Sequence, residues 1–176
     1  MSNQIRIESL AADSIDKNLE ELAAVLNACV HDGASVSFIL PHAMIDSMSF
    51  WSDKVRPAVR AGTRLLLVAR LGGRIAGSVQ LDHDTPPNQA HRAEVSKLLV
   101  HPHFRGRGVA KALMTELEKR ANELGRSLIT LDTRTGDRAE SLYRSLGYET
   151  AGIIPAYARN PFEDRLDPTT FMYKML

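Results

Sequence analysis

Residues 95–114, VSKLLVHPHFRGRGVAKALM, constrain the fold of this chain more than any other stretch. The apolar run up to Val100 reads as a strand, stopped by Pro102, which cannot donate to a sheet ladder. Beyond it Ala110, Leu113, Met114, Leu117, Ala121 and Leu124 recur at helical spacing, and Gly125 marks the helix end. Between strand and helix lie Arg105, Gly106, Arg107 and Gly108. Glycine is a poor helix former, so two of them where a helix must begin point to a turn whose backbone approaches something closely. The first-turn amides of a helix are unpaired, its dipole adds partial positive charge, and the two arginines add full charges. Together these are the parts of a phosphate cradle. A solvated basic turn is the plain alternative, and it leaves the glycines unexplained.

Other phosphate motifs fit less well. A Walker loop needs Lys and then Ser or Thr after its second glycine, whereas Gly108 leads into Val109, Ala110 and Lys111. The dinucleotide fingerprint meets Lys111 at its third glycine and expects the first unit of a parallel sheet. RNA-binding arginine-glycine segments come as repeats with interleaved aromatics, and here there is one copy. Lys and Arg total 22 against 21 Asp and Glu, so no global basic field draws the chain to nucleic acid or to an anionic membrane.

The remaining chain supplies a mixed sheet with helices on its faces. QIRIES alternates as a first strand, DSID offers caps, and Leu19, Leu22, Ala23, Leu26 and Val30 form an amphipathic stripe. HDGASVSFILP interrupts. A second helix then runs through Met44, Met48, Trp51 and Val55, with a kink expected before Pro57. Gly72 and Gly73 join two β-rich runs as a hairpin. RAEVSKLLV is a further strand, SLITLDT another, parallel to it because a helix crosses between them. GDRAESLYRSLGY is a short helix, and YETAGIIP and TTFMYKML are the closing strands. The length, 176 residues, suits one domain with one core. No segment is long and apolar enough to span a bilayer or to serve as a signal peptide, so a cytoplasmic protein, monomer or homodimer, is the default expectation. The lone Cys29, in the apolar run LAAVLNACV, reads as a small buried residue.

Arg105, Gly108 and Ala110 complete the pattern Arg/Gln-x-x-Gly-x-Gly/Ala, which resembles the pyrophosphate loop of the GCN5-related N-acetyltransferases. The segment LDTRTGDRAESLYRSLGYE is similar to a later strand-helix region of that family. The resemblance covers nearly the whole chain. It implies the family's α/β (α+β) fold over residues 1–176, with a mixed, mostly antiparallel central sheet of about seven strands flanked by four helices. It also implies acetyl-CoA as cosubstrate and a small-molecule amine as partner, with no metal. Within the family, DGASVSF, RAEVSKLLV, RGRG, LDT, AESLY and RLDPT resemble the tabtoxin-resistance acetyltransferases, which act on an amine of a β-lactam amino-acid toxin. A non-catalytic acyl-CoA-binding module is the reading of a different class.

Acetyl transfer from a thioester to an amine needs a base, an oxyanion donor and an acid for the leaving thiolate. The resemblance implies Glu94 and Asp132 as the base pair; read alone, they are an exposed strand residue and a turn cap. It places the acid at Tyr143, which read alone is a core aromatic. Leu98, Leu99 and Val100 are the strand end expected to meet pantetheine, with an amide of Leu99 or Val100 facing the oxyanion. Arg105, Gly106, Arg107, Gly108, Val109, Ala110 and Lys111 are expected to cradle the pyrophosphate. Ser35 and Phe38, with Asp132, are assigned to the acceptor wall. Ser35 and Ser37 lack the nucleophile-elbow pattern, so serine catalysis is not expected. His101 and His103 have no third ligand near them in sequence and read as loop residues.

Overall fold

The computed structural model describes residues 4–176; residues 1–3, which the expected single domain also takes in, lie outside the described residues. The hairpin forms as its glycines predict: β2 (Arg64–Leu71) and β3 (Arg74–Asp82) are antiparallel, joined through Gly72 and Gly73 at φ 61° and 84°. A two-residue turn of this hand needs positive φ at both positions, which glycine supplies without strain. On the outer side of β2 lies β1 (Arg6–Ser9); on the outer side of β3 lies β4 (Arg92–Val100). β5 (Leu128–Arg134) runs parallel to β4. Then come β7 (Leu166–Met175) and, at the edge, β6 (Glu149–Arg159), giving the order β1-β2-β3-β4-β5-β7-β6. The seven strands hold one parallel pair, between β4 and β5.

Two helical layers bury the sheet. Helix α5 (Val109–Glu123) is the crossover, and its stripe Leu113, Met114, Leu117 and Ala121 packs on Val79, Leu81, Ala93, Val95 and Ile129. Helix α6 (Arg138–Ser145) adds Tyr143 to the same cluster. On the opposite face Leu22, Leu26 and Val30 of α2 (Leu19–His31), with Trp51 and Val55, pack on Leu66, Val68, Ile75 and Leu99. Burying side chains of this size is worth about 1.5–3 kcal/mol each, so the spacing of the stripes decides how the helices sit.

Three elements depart from expectation. DSID is not a cap: it belongs to α1 (Ala12–Lys17), which breaks from α2 at Asn18, whose side-chain amide donates to Ser14 O at 2.7 Å and whose Oδ1 accepts from Arg70 at 2.6 Å. The second helix is three segments, α3 (Met44–Ser49), a π-helical turn (Phe50–Val55) and α4 (Arg56–Arg60). The wide turn lies just before Pro57, which has no N–H and clashes with a regular preceding turn. Met44 is exposed at the first turn of α3, while Trp51 and Val55 are fully buried. Finally β6 continues past Pro155, because an irregularity between Ile154 and Ala158 loops out the proline on this edge strand.

The feature that opens the sheet is in β4. Its pairing with β5 covers only Arg92–Glu94 against Leu128–Thr130, after which the strands part. On the β3 side, Ser78 pairs with Leu99 and Gln80 with Ser96, so β4 carries one residue too many, and Lys97 sits there at φ 52°. An extra residue reverses the facing of everything after it. Ala93 and Val95 face the α5 cluster, but beyond the bulge Leu98 and Val100 do so and Leu99 faces the α2 cluster.

Candidate active site

Where β4 and β5 part, a groove of about 650 Å³ opens. Its floor is Leu98, Leu99 and Val100; one wall is Cys29, Asp32, Gly33 and Ala34 at the end of α2, and the other is Ala139 and Leu142 of α6. One end is closed by Arg105, Gly106, Gly108, Val109, Ala110 and Lys111. Gly106 and Gly108 are both left-handed, at φ 71° and 81°, with open space around each α-carbon. The turn therefore requires glycine for its dihedrals, and the absence of a side chain bares the amides. Gly108 caps α5, whose first intrahelical bond runs from Ala112 N to Gly108 O. The amides of Val109, Ala110 and Lys111 are the first-turn donors of a long helix, and these three residues line the groove.

The floor is oriented by β3. His101 N donates to Ala76 O at 2.9 Å, and the two-residue alternation of an antiparallel ladder turns the peptide groups of Leu99 toward β3 and those of Val100 toward the groove. Val100 O accordingly accepts from Cys29 Sγ at 3.4 Å and from Arg105 Nε at 3.3 Å. Burial pushes the Cys29 thiol up to about 11, in keeping with an inert packed residue. Gly77 on β3 allows the close approach: a β-carbon there would stand 2.4 Å from Leu99 O.

Arg105 is not a free charge. Its guanidinium pairs with Asp32 while also reaching Val100 O, so it ties α2 to the end of β4. Arg107 lies over the Phe104 ring at 5.7 Å and, like Lys111, is exposed.

Glu94 and Asp132 come together. Glu94 is level with Thr130 across the parallel pair, and Asp132 is two residues on, hence on the same face. The helix layer on that face ends before β5, leaving both carboxylates at the wall of a 250 Å³ hollow shared with Thr130, Phe171 and Tyr173. Partial burial raises the Glu94 carboxyl above its ordinary range, and the charge of Asp132 raises it further. Partial burial likewise raises Asp132, against the opposing pull of Lys97. A carboxylate raised toward neutrality is a better acceptor of an ammonium proton.

Tyr143, next in sequence to the groove-lining Leu142, is buried in the α5-side core and does not itself line the groove; its ring lies 5.7 Å from that of Tyr148. Burial, and then the charges of Asp132 and Asp137, raise its phenol, so it stays protonated. Phe38 lies beside Phe50, with ring centroids 5.4 Å apart, and Ser35 is half-buried in the loop before it. His103 N donates to His101 Nδ1 at 3.3 Å, and among the described residues no group of three or more His, Cys, Asp or Glu is placed to hold a metal.

Three site residues went unread in the sequence. Lys97, Asp32 and Gly77 each left a signal: a break in the alternation of EVSKLLV, an acid at a helix end, and a glycine inside the strand run RIAGSVQ.

A β-sheet split over a glycine turn at a helix N-terminus defines a class of acyl-CoA-using folds, and comparison with known proteins agrees. The model of the acetyltransferase (GNAT) family matches residues 30–148, and the chain belongs to that family. An acetyltransferase of Pectobacterium atrosepticum is 40% identical over 102 residues, 57% of this chain and 68% of that protein. Among solved structures, a ribosomal-protein-alanine N-acetyltransferase of Brucella melitensis has a TM-score of 0.79 at 22% identity, over 97% of this chain and 99% of its own. A protein of Salmonella typhimurium, solved with its cofactor acetyl-CoA, has a TM-score of 0.78 at 18% identity, over 99% and 95%. The fold is thus the GNAT fold, as the sequence resemblance implied, with its helices more subdivided.

Proposed function

We propose that this chain is a single-domain N-acetyltransferase that moves an acetyl group from acetyl-CoA directly to the amine of a small, amino-acid-like molecule. The observation that carries this reading is the juxtaposition of two pKa-raised carboxylates with the split between β4 and β5. The groove suits the donor: bared amides at Gly108–Lys111, together with Arg107 and Lys111, would hold its pyrophosphate, and the parted end of β4 would meet its pantetheine. In the reaction the amine nitrogen forms a bond to the thioester carbonyl carbon and the carbon–sulfur bond breaks. Glu94 or Asp132, directly or through water, takes the amine's proton. Of the two amides considered for the oxyanion, Val100 is preferred, because that of Leu99 is turned to β3. Tyr143 supplies a proton to the departing thiolate, as its protonated phenol allows. Ser35 and Phe38 are assigned to the acceptor wall, a reading that Phe38 supports by lining a hollow with Ser37 and Lys97.

The test is release of CoA thiol with a panel of amines that includes β-lactam amino acids. Turnover on at least one primary amine is expected. Tight acetyl-CoA binding without turnover on any amine would replace this reading with that of a binding module.

A further inference from the structure

On the acceptor side of β4 a second cavity, of about 350 Å³, holds an unusual set of charges. Arg64 and Asp82 line it and neutralise one another as an ion pair. The remaining charged lining residues are Arg92, Lys97, Asp84 and Glu94. Among the described residues none of these four is ion-paired: Arg92 is held by neutral groups, Gln89 Oε1 at 2.7 Å and Thr130 Oγ1 at 3.4 Å, and Lys97 donates to Ser37 Oγ at 3.1 Å. Glu94 feels the charge of Arg92, and Lys97 that of Glu94, but no contact ties them, so two cations and two carboxylates remain open to a ligand. A polyamine would leave the cations unanswered, and a polyanion would leave the acids unanswered. A ligand with one charge of each sign answers both.

Lys97 is the cation placed to act. It is the bulge residue, next in sequence to the groove floor at Leu98 and electrostatically within reach of Asp132 and Glu94. Its ammonium is stationed by the bond to Ser37 and by two aromatic faces, Phe38 at 5.9 Å and Phe50 at 5.8 Å. An ammonium has three donors, and the one on Ser37 leaves two for a ligand. Burial pulls this ammonium below the ordinary lysine range, the sign of a desolvated charge for which an anionic ligand is worth more than in water.

We infer that the acceptor carries a carboxylate beside its amine and that Lys97 is the specificity-determining residue that reads it, holding the carboxylate while Glu94 and Asp132 face the amine. This rests on the acetyltransferase reading for the role of the two acids, and to the amino-acid-like acceptor of that reading it adds the group that is recognised and the residue that selects it.

The probes are glycine, β-alanine, 4-aminobutyrate and 6-aminohexanoate, each paired with its own carboxamide, assayed with acetyl-CoA for thiol release. At the best chain length the acid should exceed its amide about 10- to 100-fold in kcat/KM, the range of a charge-assisted hydrogen bond. In Lys97→Ala and Lys97→Gln that ratio should fall toward one, through KM for the acid. Two variants, each checked for an unchanged unfolding temperature, separate loss of the ammonium from loss of the fold. Amides turned over as well as acids would overturn the inference, and so would a ratio that survives both Lys97 variants. The same pairs titrated calorimetrically into CoA-loaded protein give a reading independent of turnover. Preference for acids there, lost in the Lys97 variants, keeps the inference even if catalysis is absent, and no preference removes it.

Discussion

Gly77→Ala separates a structural role of the β3–β4 contact from chance. The added methyl carbon would lie 2.4 Å from the backbone oxygen of Leu99, 3.2 Å from Val109 Cγ1 and 3.4 Å from Leu113 Cδ1. The two side chains can yield a little; the carbonyl is fixed by the ladder. Relief to 3.0 Å, the shortest approach a β-carbon tolerates, moves β4 outward by about 0.6 Å at the floor of the donor groove. Gly77 has no positive φ, so alanine suffers no dihedral strain there and the clash acts alone. Overpacking of this kind costs about 1–3 kcal/mol. For a chain of this size each kcal/mol lowers the melting temperature by roughly 2–4 °C, so thermal unfolding should drop by roughly 2–12 °C. The displaced atoms are also those proposed to meet the donor, and misplacement approaching 1 Å can cost up to about 10²-fold in rate. Melting followed by fluorescence of the buried Trp51, together with the KM for acetyl-CoA and kcat, reads both effects. A variant that melts within about 1 °C of the parent with the same kinetics would refute the claim that this approach sets the groove.

The pH profile tests the carboxylates. A base must be ionised, and burial and then Asp132 raise Glu94, so kcat/KM should fall as pH drops through a pKa above the ordinary carboxylate range. Asp132→Asn removes the repelling charge and should move that limb to lower pH; an unmoved limb shows that Glu94 is not the titrating group. Tyr143→Phe should lower kcat by about 10²-fold with little change in acetyl-CoA affinity, and turnover like the parent's would return Tyr143 to a packing role. Asp32→Ala should raise the KM for acetyl-CoA severalfold, because Arg105 loses its anchor. A lowered KM would show instead that Arg105 serves the phosphate directly and that Asp32 competes for it.

The donor side was legible because its chemistry is written in backbone. Gly106 and Gly108 are needed for dihedrals that few other residues adopt, and the apolar stripe after them can only be a helix, so residue type and geometry coincide within a dozen positions. The hairpin at Gly72 and Gly73 was readable for the same reason. Arg105 was harder: its place in the pattern is local, but its partner Asp32 is 73 residues away, and sequence alone leaves the guanidinium free. The split helix at Asn18 depends on Arg70 from β2, and the reach of β6 past Pro155 depends on an edge strand that, among the described residues, pairs with β7 alone. These are tertiary conditions, and local propensity yields to them.

The bulge at Lys97 is where the two halves of the site meet. One inserted residue reverses the facing of β4, so Glu94 and Ser96 look to one face of the sheet while Leu98 and Val100 look to the other. The strand thereby presents carboxylate chemistry on the acceptor side and backbone groups on the donor side within seven residues. A regular strand would keep Glu94, Ser96, Leu98 and Val100 on a single face, and its continued pairing with β5 would close the groove. The residue that creates the irregularity is also a cation that, among the described residues, makes no direct ion pair, and its left-handed backbone directs that side chain between Phe38 and Phe50. The opening of the sheet and the selection of what enters from the acceptor side are thus coupled at one position, so a substitution at Lys97 that regularises the strand should disturb both sides at once, whereas one that alters only its charge should disturb the acceptor alone.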